Sequence, residues 1–146
     1  MVLFSYLYSP YSSDTDDVVD GPKNGSSRWI WNQTIGSFQD RPGRLGTWGY
    51  YNTDGLGLHE FFDLCEDLDL EPVYAIFSGY YLDGEIVPQD QLQPYIDEAL
   101  NSIEYITGNT STYYGAMRAE NGHPKPWKLN YVEIGNEDNA FGIPGA

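Results

Sequence analysis

The sequence has 146 residues, the length of one ordinary domain, and its 22 acidic and 7 basic side chains give a net charge of −15. This charge repels phosphate backbones and anionic lipid headgroups, so it argues against nucleic acids and membrane surfaces as partners. The chain has no run of about 18 apolar residues that could span a membrane. An aromatic content of 16% is too high for a disordered protein. The single cysteine, Cys65, cannot form an internal disulfide.

The first part of the chain, residues 1–54, is typical of turns and long loops because Gly, Pro, Asp, Asn and Ser interrupt it throughout. Its apolar start, residues 2–8, has no basic region before it and is short for a secretion signal. N-glycosylation sequons begin at Asn24, Asn32 and Asn109, and they matter only if the chain is secreted.

Aromatic side chains are concentrated in this irregular part of the chain. They are Trp29, Trp31, Trp48, Tyr50 and Tyr51. Flat aromatic rings stack on the C–H faces of sugars, but they equally well fold a loop onto a hydrophobic core. The sequence leaves both interpretations open.

The second part of the chain begins with a predicted amphipathic helix. Apolar side chains recur at helical spacing, at Leu58, Phe61, Phe62, Cys65 and Leu68. Asp54 is the candidate N-cap, and Glu60 falls in the early turns, where acidic charge suits the helix dipole. We expect Cys65 to be a small core residue. His59 lies beside the apolar stripe, so we expect it at the surface or at the edge of the core.

Two apolar runs predict strands, with a second helix between them. Glu71-Pro72 ends the first helix, and the continuous run 73–77 predicts a strand buried on both faces. The second helix is predicted from Pro88, with Pro94 in its first turn. Its apolar face is expected to contain Leu92, Tyr95, Ile96, Ala99, Ile103 and Ile106. A polar link, residues 108–128, leads to a second buried strand at residues 129–134.

The order of helix, strand, helix and strand indicates an α/β fold with a parallel sheet and right-handed crossovers. Two or three strands neither close a barrel nor complete a doubly wound sheet. We therefore expect the chain to be part of a larger domain.

The strongest local signal for chemistry is Gly135-Asn136-Glu137, directly after the second strand. Carboxyl ends of parallel strands carry ligand sites, and a carboxyl in a partly desolvated pocket can donate a proton near neutral pH. Glu137 is therefore a candidate general acid, and Asn136 a candidate ligand of a substrate hydroxyl. The alternative for Glu137 is an exposed loop carboxylate. Glu133, inside the strand, either orients a neighbouring group or is a buried structural carboxyl with a partner.

Other patterns do not indicate a bound group. Residues 14–17 start like a calcium loop but lack its glycine and its closing Glu. Gly55-Leu56-Gly57 lacks the third glycine and the preceding strand of a dinucleotide site. His59 and His123 lie far apart in the sequence and share no partner pattern. We therefore expect no cofactor and no metal.

Five longer segments carry a more specific signal. They are residues 28–36, 40–44, 48–58, 66–73 and 127–138. Together they resemble the catalytic domain of the α-L-arabinofuranosidases of glycoside hydrolase family 51, and fungal members in particular. Several long segments that occur in the same order as in the family are far more specific than the Gly-Asn-Glu tripeptide alone.

The resemblance implies a partial (β/α)8 barrel, about strands 2 to 4 with their helices. This barrel part is assigned to residues 28–146, and residues 1–27 form an irregular N-terminal segment that does not match the family. The implied activity removes terminal non-reducing α-L-arabinofuranosyl groups from arabinose-containing polysaccharides, by a retaining mechanism with two carboxylates and no metal.

The resemblance also assigns roles to individual residues. Glu137 corresponds to the general acid/base of the family, and Asn136 to the residue that contacts a sugar hydroxyl. Asn52 and Asp54 belong to a segment that lies near the sugar, so they are weaker candidates for substrate binding.

The nucleophile of the family corresponds to a Glu beyond Ala146, so we expect the 146 residues alone not to hydrolyse aryl arabinofuranosides. By resemblance, the protein is expected to be extracellular.

Two alternatives to the glycosidase function remain. One is a non-catalytic carbohydrate-binding piece, although small sugar-binding modules are mostly β-sandwiches and this chain predicts parallel α/β order. The other is an inert truncated gene product.

Overall fold

The computed structural model describes residues 28–46, 50–81 and 85–135. In these ranges the helices are α1 (Leu58–Asp67), α2 (Gln93–Thr107) and α3 (Tyr113–Glu120), and the strands are β1 (Arg44–Leu45), β2 (Tyr51–Asn52), β3 (Val73–Ile76) and β4 (Tyr131–Ile134). Short 3-10 turns span Trp31–Gln33, Phe38–Asp40 and Gln89–Gln91. The predicted segment 1–27 lies outside the described residues. None of the described helices is long and apolar enough to cross a membrane.

β3 and β4 form the parallel pair that the order of elements predicts. Val73 lies opposite Tyr131, and Ile76 lies opposite Ile134. The chain between these strands contains α2 and α3, which supply the long crossover that parallel pairing requires. β1 and β2 pair separately in a short antiparallel arrangement. The predicted α/β character and the parallel pairing are therefore confirmed.

α1 buries most of the stripe that its sequence predicts. Its buried apolar side chains are Leu58, Phe61, Phe62 and Cys65. Burial raises the pKa of the Cys65 thiol to about 11, which agrees with the predicted core role. The prediction was wrong for Leu68, which is 58% exposed. The helix ends at Asp67, and the chain then turns through Asp69, whose φ is +52°, so Leu68 has left the helical face.

α2 starts later than Pro88, because a 3-10 turn precedes it, but Pro94 lies in its first turn as predicted. Its fully buried side chains, Ser102, Tyr105 and Ile106, are all near its C-terminal end. Ile96 of the predicted apolar face is 46% exposed. The helix therefore packs mainly through its second half.

α3 lies within the segment that the sequence presents as a polar link. Its N-cap is Thr112, whose hydroxyl accepts a hydrogen bond from the Gly115 N–H at 3.2 Å. The side chain that anchors it is Arg118, which has no exposed surface. The guanidinium donates to the carbonyls of Tyr105, Ile106, Gly108, His123 and Pro124, at 2.6–3.2 Å. Because a buried arginine replaces the usual apolar stripe, hydrophobic periodicity did not reveal this helix.

The hydrophobic core lies between α1, α2 and β3. It contains Trp29, Trp31, Leu58, Phe62, Tyr74, Tyr105, Ile106 and Trp127. Only Tyr74 comes from β3, whose other residues are half-buried. β4 is more exposed than predicted, with Tyr131 at 58% and Ile134 at 71%. Among the described residues β4 pairs with β3 alone, so the prediction of two strands buried on both faces was wrong for this part of the chain.

We expect Arg118→Met to lower the free energy of unfolding by about 3 kcal/mol or more. The substitution keeps an unbranched stem but leaves several buried carbonyl oxygens without a donor. Urea unfolding followed by circular dichroism measures the change.

Lys128→Met is the matched control for this substitution. The Lys128 side chain is 69% exposed and binds Glu71 at 2.8 Å, so its loss should leave the unfolding midpoint nearly unchanged. Equal midpoints for the two variants would contradict the anchoring role of Arg118.

Candidate active site

The carboxyl edge of β3 and β4 is where the two parallel strands end. Gly135 follows β4, and its N–H donates to the carbonyl of Ile76, at the end of β3, over 3.0 Å. The φ of Gly135, +73°, favours glycine, so the chain can turn sharply there. α2 starts after β3 ends, and α1 ends before β3 begins and packs along it through Phe62 and Tyr74. The first turns of both helices therefore lie toward this edge, where α/β folds form ligand sites.

Asn136 and Glu137, the predicted sugar ligand and general acid, follow Gly135 directly and lie outside the described residues. The structure describes the strand that leads to them, and their roles stay predictions. Glu133 lies in β4 opposite Ala75 and is half-buried.

Asn52 and Asp54 lie on the chain that approaches the start of α1. Asn52 in β2 pairs with Arg44 in β1, and Arg44 Nε is 3.6 Å from Asp54 Oδ1. The Asp54 side chain is only 7% exposed. Burial raises the pKa of Asp54 above its ordinary value, although Arg44 and Arg41 act in the opposite direction. Asp54 has a φ of +53°, which is uncommon outside glycine. The structure therefore brings Asn52 and Asp54 together with an arginine.

Arg41 holds this approach segment in place. Its two terminal nitrogens donate to both carboxylate oxygens of Glu60, at 2.6 and 3.0 Å. The same nitrogens donate to the carbonyl oxygens of Asp54 at 2.7 Å and Gly36 at 2.8 Å. Burial alone would raise the pKa of Glu60, but hydrogen bonds from Arg41 and from the Gly57 N–H outweigh it and lower that pKa. One buried guanidinium thus joins the loop to the first turn of α1.

The N-terminus of α1 has Glu60 in its first turn, as predicted, but its N-cap residue differs from the predicted one. The predicted N-cap was Asp54, but the N-cap residue is Gly57. Glu60 Oε2 accepts the Gly57 N–H at 2.8 Å, and the buried Thr34 hydroxyl accepts the Leu58 N–H at 3.1 Å. Asp54 lies three residues before Gly57 and has a left-handed φ of +53°, whereas the N-cap Gly57 has the extended backbone usual for that position.

The two histidines, which lie far apart in the sequence, are neighbours in space. Their rings are 6.3 Å apart, and His123 stacks on Trp127 at 4.2 Å. His59 Nδ1 lies 2.7 Å from the Tyr105 hydroxyl, and His123 Nε2 lies 2.7 Å from Glu66. Burial lowers the pKa of His59 and raises that of Tyr105 to about 12.

His59 lies on α1 and His123 follows α3, and both rings contact Trp127. Among the residues that the structure describes, no group of three or more His, Cys, Asp or Glu side chains could hold a metal ion. His59 is 7% exposed, so of the two predicted locations it fits the edge of the core and not the surface.

Of the aromatic residues in the irregular part of the chain, some pack in the core and others are exposed, as sugar stacking would require. Trp29 and Trp31 are 4% and 2% exposed and belong to the core. Tyr50 and Tyr51 are 56% and 65% exposed, directly before Asn52, so they are available for stacking. Trp48 lies outside the described residues.

Comparison with known proteins decides the family. Residues 18–143 match the family model described as the alpha-L-arabinofuranosidase 1 domain. A solved arabinose-bound structure of the α-L-arabinofuranosidase MgGH51 superposes with a TM-score of 0.79 and 46% sequence identity, over 84% of this chain and 20% of that one. The chain belongs to the α-L-arabinofuranosidases of glycoside hydrolase family 51. The resemblance drawn from the five sequence segments is confirmed.

Related family 51 enzymes are considerably longer than this chain. Alpha-L-arabinofuranosidase A of Aspergillus kawachii is 58% identical over 118 residues, which are 79% of this chain and 19% of the relative. Alpha-L-arabinofuranosidase 2 of Arabidopsis thaliana is 38% identical over 121 residues, 82% of this chain and 18% of the relative. An arabinose complex of the Thermotoga maritima α-L-arabinofuranosidase superposes with a TM-score of 0.62 at 32% identity, over 80% of this chain and 22% of that one. The chain therefore spans about a fifth of the length of the curated relatives it matches.

Sequence reasoning did not single out Arg41 and Arg44, the two arginines that contact Asp54 among the described residues. Both lie in segment 40–44, which carried part of the resemblance, in a chain with only 7 basic residues. A rare cation inside a recognised segment was the signal that could have found them, since an acidic chain has few arginines to place.

We expect Gly57→Ala to destabilise the chain by about 1–3 kcal/mol or more, as overpacking does. A Cβ at Gly57 would lie 1.7 Å from the carbonyl oxygen of Thr34, which is backbone and cannot move aside freely. Chemical unfolding monitored by tryptophan fluorescence measures the loss.

Gly55→Ala is the control, because its nearest neighbour would be the Thr53 side-chain oxygen at 3.3 Å. It should retain most of the parent stability. If both alanine variants unfold at the same urea concentration, the close approach of Gly57 to the Thr34 backbone does not exist in solution.

We expect the ion pair of Glu60 to make stability fall at acid pH. The pKa of Glu60 is lower in the folded chain than its ordinary value, so protons bind more readily to the unfolded chain. The stability that ionised Glu60 adds is fully present at pH values above the ordinary pKa of a glutamate. It is lost as the pH falls from that value through the lower pKa that Glu60 has in the folded chain. Urea midpoints for the parent and for Glu60→Gln across acid pH test this, and the parent curve should be the steeper.

Asp90→Asn, which alters an exposed carboxyl in the 3-10 turn before α2, is the matched control for Glu60→Gln. It should keep the pH dependence of the parent. Parallel curves for the parent and Glu60→Gln would mean that the pair with Arg41 does not form.

Proposed function

We propose that this chain carries part of the active site of an enzyme that removes terminal non-reducing α-L-arabinofuranosyl groups from arabinose-containing polysaccharides. The observation that supports it most is the family match over residues 18–143, which includes Asn52, Asp54, Asn136 and Glu137. The parallel pairing of β3 and β4 is consistent with the proposed partial (β/α)8 barrel over residues 28–146.

In this proposal Glu137 is the general acid/base of a retaining mechanism. As an acid it protonates the oxygen of the leaving sugar while a second carboxylate attacks the anomeric carbon. As a base it then takes a proton from the water that hydrolyses the covalent intermediate. In the sequence Glu137 comes two residues after Gly135, which follows β4 at the strand edge where such residues are commonly found.

Asn136, Asn52 and Asp54 are proposed to bind the hydroxyls of the arabinofuranosyl group. An amide both donates and accepts hydrogen bonds, which suits a sugar hydroxyl. Asp54 is already desolvated and held beside Arg44, so binding a hydroxyl requires little further reorganisation. The exposed rings of Tyr50 and Tyr51 precede this pair along the chain.

A retaining mechanism needs two carboxyls about 5–5.5 Å apart. The proposed nucleophile corresponds to a Glu beyond Ala146, so we propose that the 146 residues alone are inactive. Polysaccharide substrates are too large to enter a cell, and we therefore also propose an extracellular location.

The test uses a hybrid enzyme in which residues 18–143 of this chain replace the corresponding segment of the Aspergillus kawachii relative. Glu137→Gln keeps the size of the side chain but removes its transferable proton. Loss of general acid/base catalysis should reduce the cleavage of an arabinosyl oligosaccharide by about 10²–10⁴-fold. With an activated phenol as leaving group, the first step should be nearly spared, giving a burst of phenol and a slow phase that azide restores.

Glu133→Gln in the same hybrid is the matched control and should show neither the burst nor the azide rescue. If Glu137→Gln slows both substrates equally without a burst, Glu137 is not the acid/base. If the unaltered 146-residue chain alone turns over aryl arabinofuranosides, the requirement for a carboxyl beyond Ala146 is wrong.

A further inference from the structure

The loop between α2 and α3 carries a motif that the proposed function does not use. Asn109, Thr110 and Ser111 form an N-glycosylation sequon, and all three residues are exposed. We propose that Asn109 is an acceptor of an N-linked glycan when the chain passes through a eukaryotic secretory pathway. This inference goes beyond the proposed hydrolase activity and does not depend on it.

The hydrogen bonds of the loop leave the attachment atom available. Asn109 Oδ1 accepts the Ser111 N–H at 2.8 Å and also a short hydrogen bond from the Ser111 hydroxyl. The Asn109 carbonyl accepts from the N–H and the hydroxyl of Thr112, each at 3.0 Å. In the described part of the chain no hydrogen bond uses Asn109 Nδ2. A sugar on Nδ2 therefore breaks none of the contacts that shape this loop.

The sequon at Asn32 differs from this one in the folded chain. Its third residue, Thr34, is 1% exposed. The Thr34 hydroxyl donates to the Trp31 carbonyl at 2.8 Å and accepts from the Leu58 N–H at 3.1 Å. The hydroxyl of this sequon is committed to capping α1, whereas Ser111 keeps its hydroxyl beside the acceptor amide at the surface. The third sequon, at Asn24, lies outside the described residues.

The position of the loop also fits a bulky group. α2 is 15 residues long, or about 22 Å, and its first turn lies toward the carboxyl edge of β3. The loop that follows Thr107 is therefore at the opposite end of the helix from the candidate active site. A glycan at Asn109 projects from the far end of the helix layer and leaves the approach to Asp54 and Gly135 open.

The modification is a transfer of an oligosaccharide from a polyprenyl diphosphate donor. A bond forms between Asn109 Nδ2 and the anomeric carbon of the first sugar. The bond between that carbon and the diphosphate oxygen breaks, and the polyprenyl diphosphate leaves with the electron pair. The proton lost from Nδ2 goes to a base of the transferase.

Translation of the full chain behind a cleavable secretion leader, with endoplasmic-reticulum microsomes present, tests the proposal. We expect the translocated chain to show an endoglycosidase-sensitive mass increase on the peptide that contains Asn109. Asn109→Gln and Ser111→Ala should each remove that increase. Asn32→Gln is the matched control and should leave the Asn109 peptide glycosylated. The transfer occurs during translocation, so the result does not require any variant to fold.

An unmodified Asn109 peptide in protease-protected, translocated chain would overturn the proposal. The urea midpoint of the glycosylated chain, measured before and after enzymatic removal of the glycan, tests whether the surface at Asn109 is free. We expect equal midpoints, because Nδ2 contributes no hydrogen bond in the described residues. A midpoint that is clearly lower with the glycan attached would contradict the assignment of the loop as a free surface.

Discussion

The paired hydrogen bonds between Arg41 and Glu60 connect the irregular part of the chain to its regular part. A guanidinium matches a carboxylate in geometry, and here it also satisfies two backbone carbonyls of the loop. Glu60 in turn caps α1 through the Gly57 N–H. The same arginine donates to the carbonyl of Asp54, so the position of this candidate sugar contact depends on Arg41.

The fold was predictable where apolar residues repeat at a regular spacing. α1 and β3 were found in this way because Phe61, Phe62 and Cys65 mark a helix face and the run 73–77 marks a strand. α3 was not found, because its buried anchor is Arg118 and a charged residue in a sequence normally indicates an exposed position. The exposure of Ile134 was not predictable either. A hydrophobic pattern shows which side chains a strand can bury, but it does not show whether the chain supplies the neighbours that bury them.

The candidate site was predictable to a different degree. A site at the strand end is predicted from the order of elements, and its proposed chemistry rests on a family resemblance that the comparisons confirm. The roles of Asn136 and Glu137 stay predictions. The contact between Arg44 and Asp54 was not predictable, because it depends on a β1–β2 pair of two residues per strand. The capping of α1 by Thr34 was missed for a similar reason: the two ends of that hydrogen bond are distant in sequence, and local capping rules consider only neighbouring residues.

The parallel register of β3 and β4 has a consequence for the order of folding. Val73 pairs with Tyr131, and α2 and α3 lie between them, so closing this ladder removes the conformational freedom of a long intervening loop. The contacts between α2 and α3, including those of Arg118, are by contrast local and can form early. The helix layer can therefore consolidate first and shorten the effective loop. On this view the strand edge at Gly135 is among the last parts of the chain to assemble.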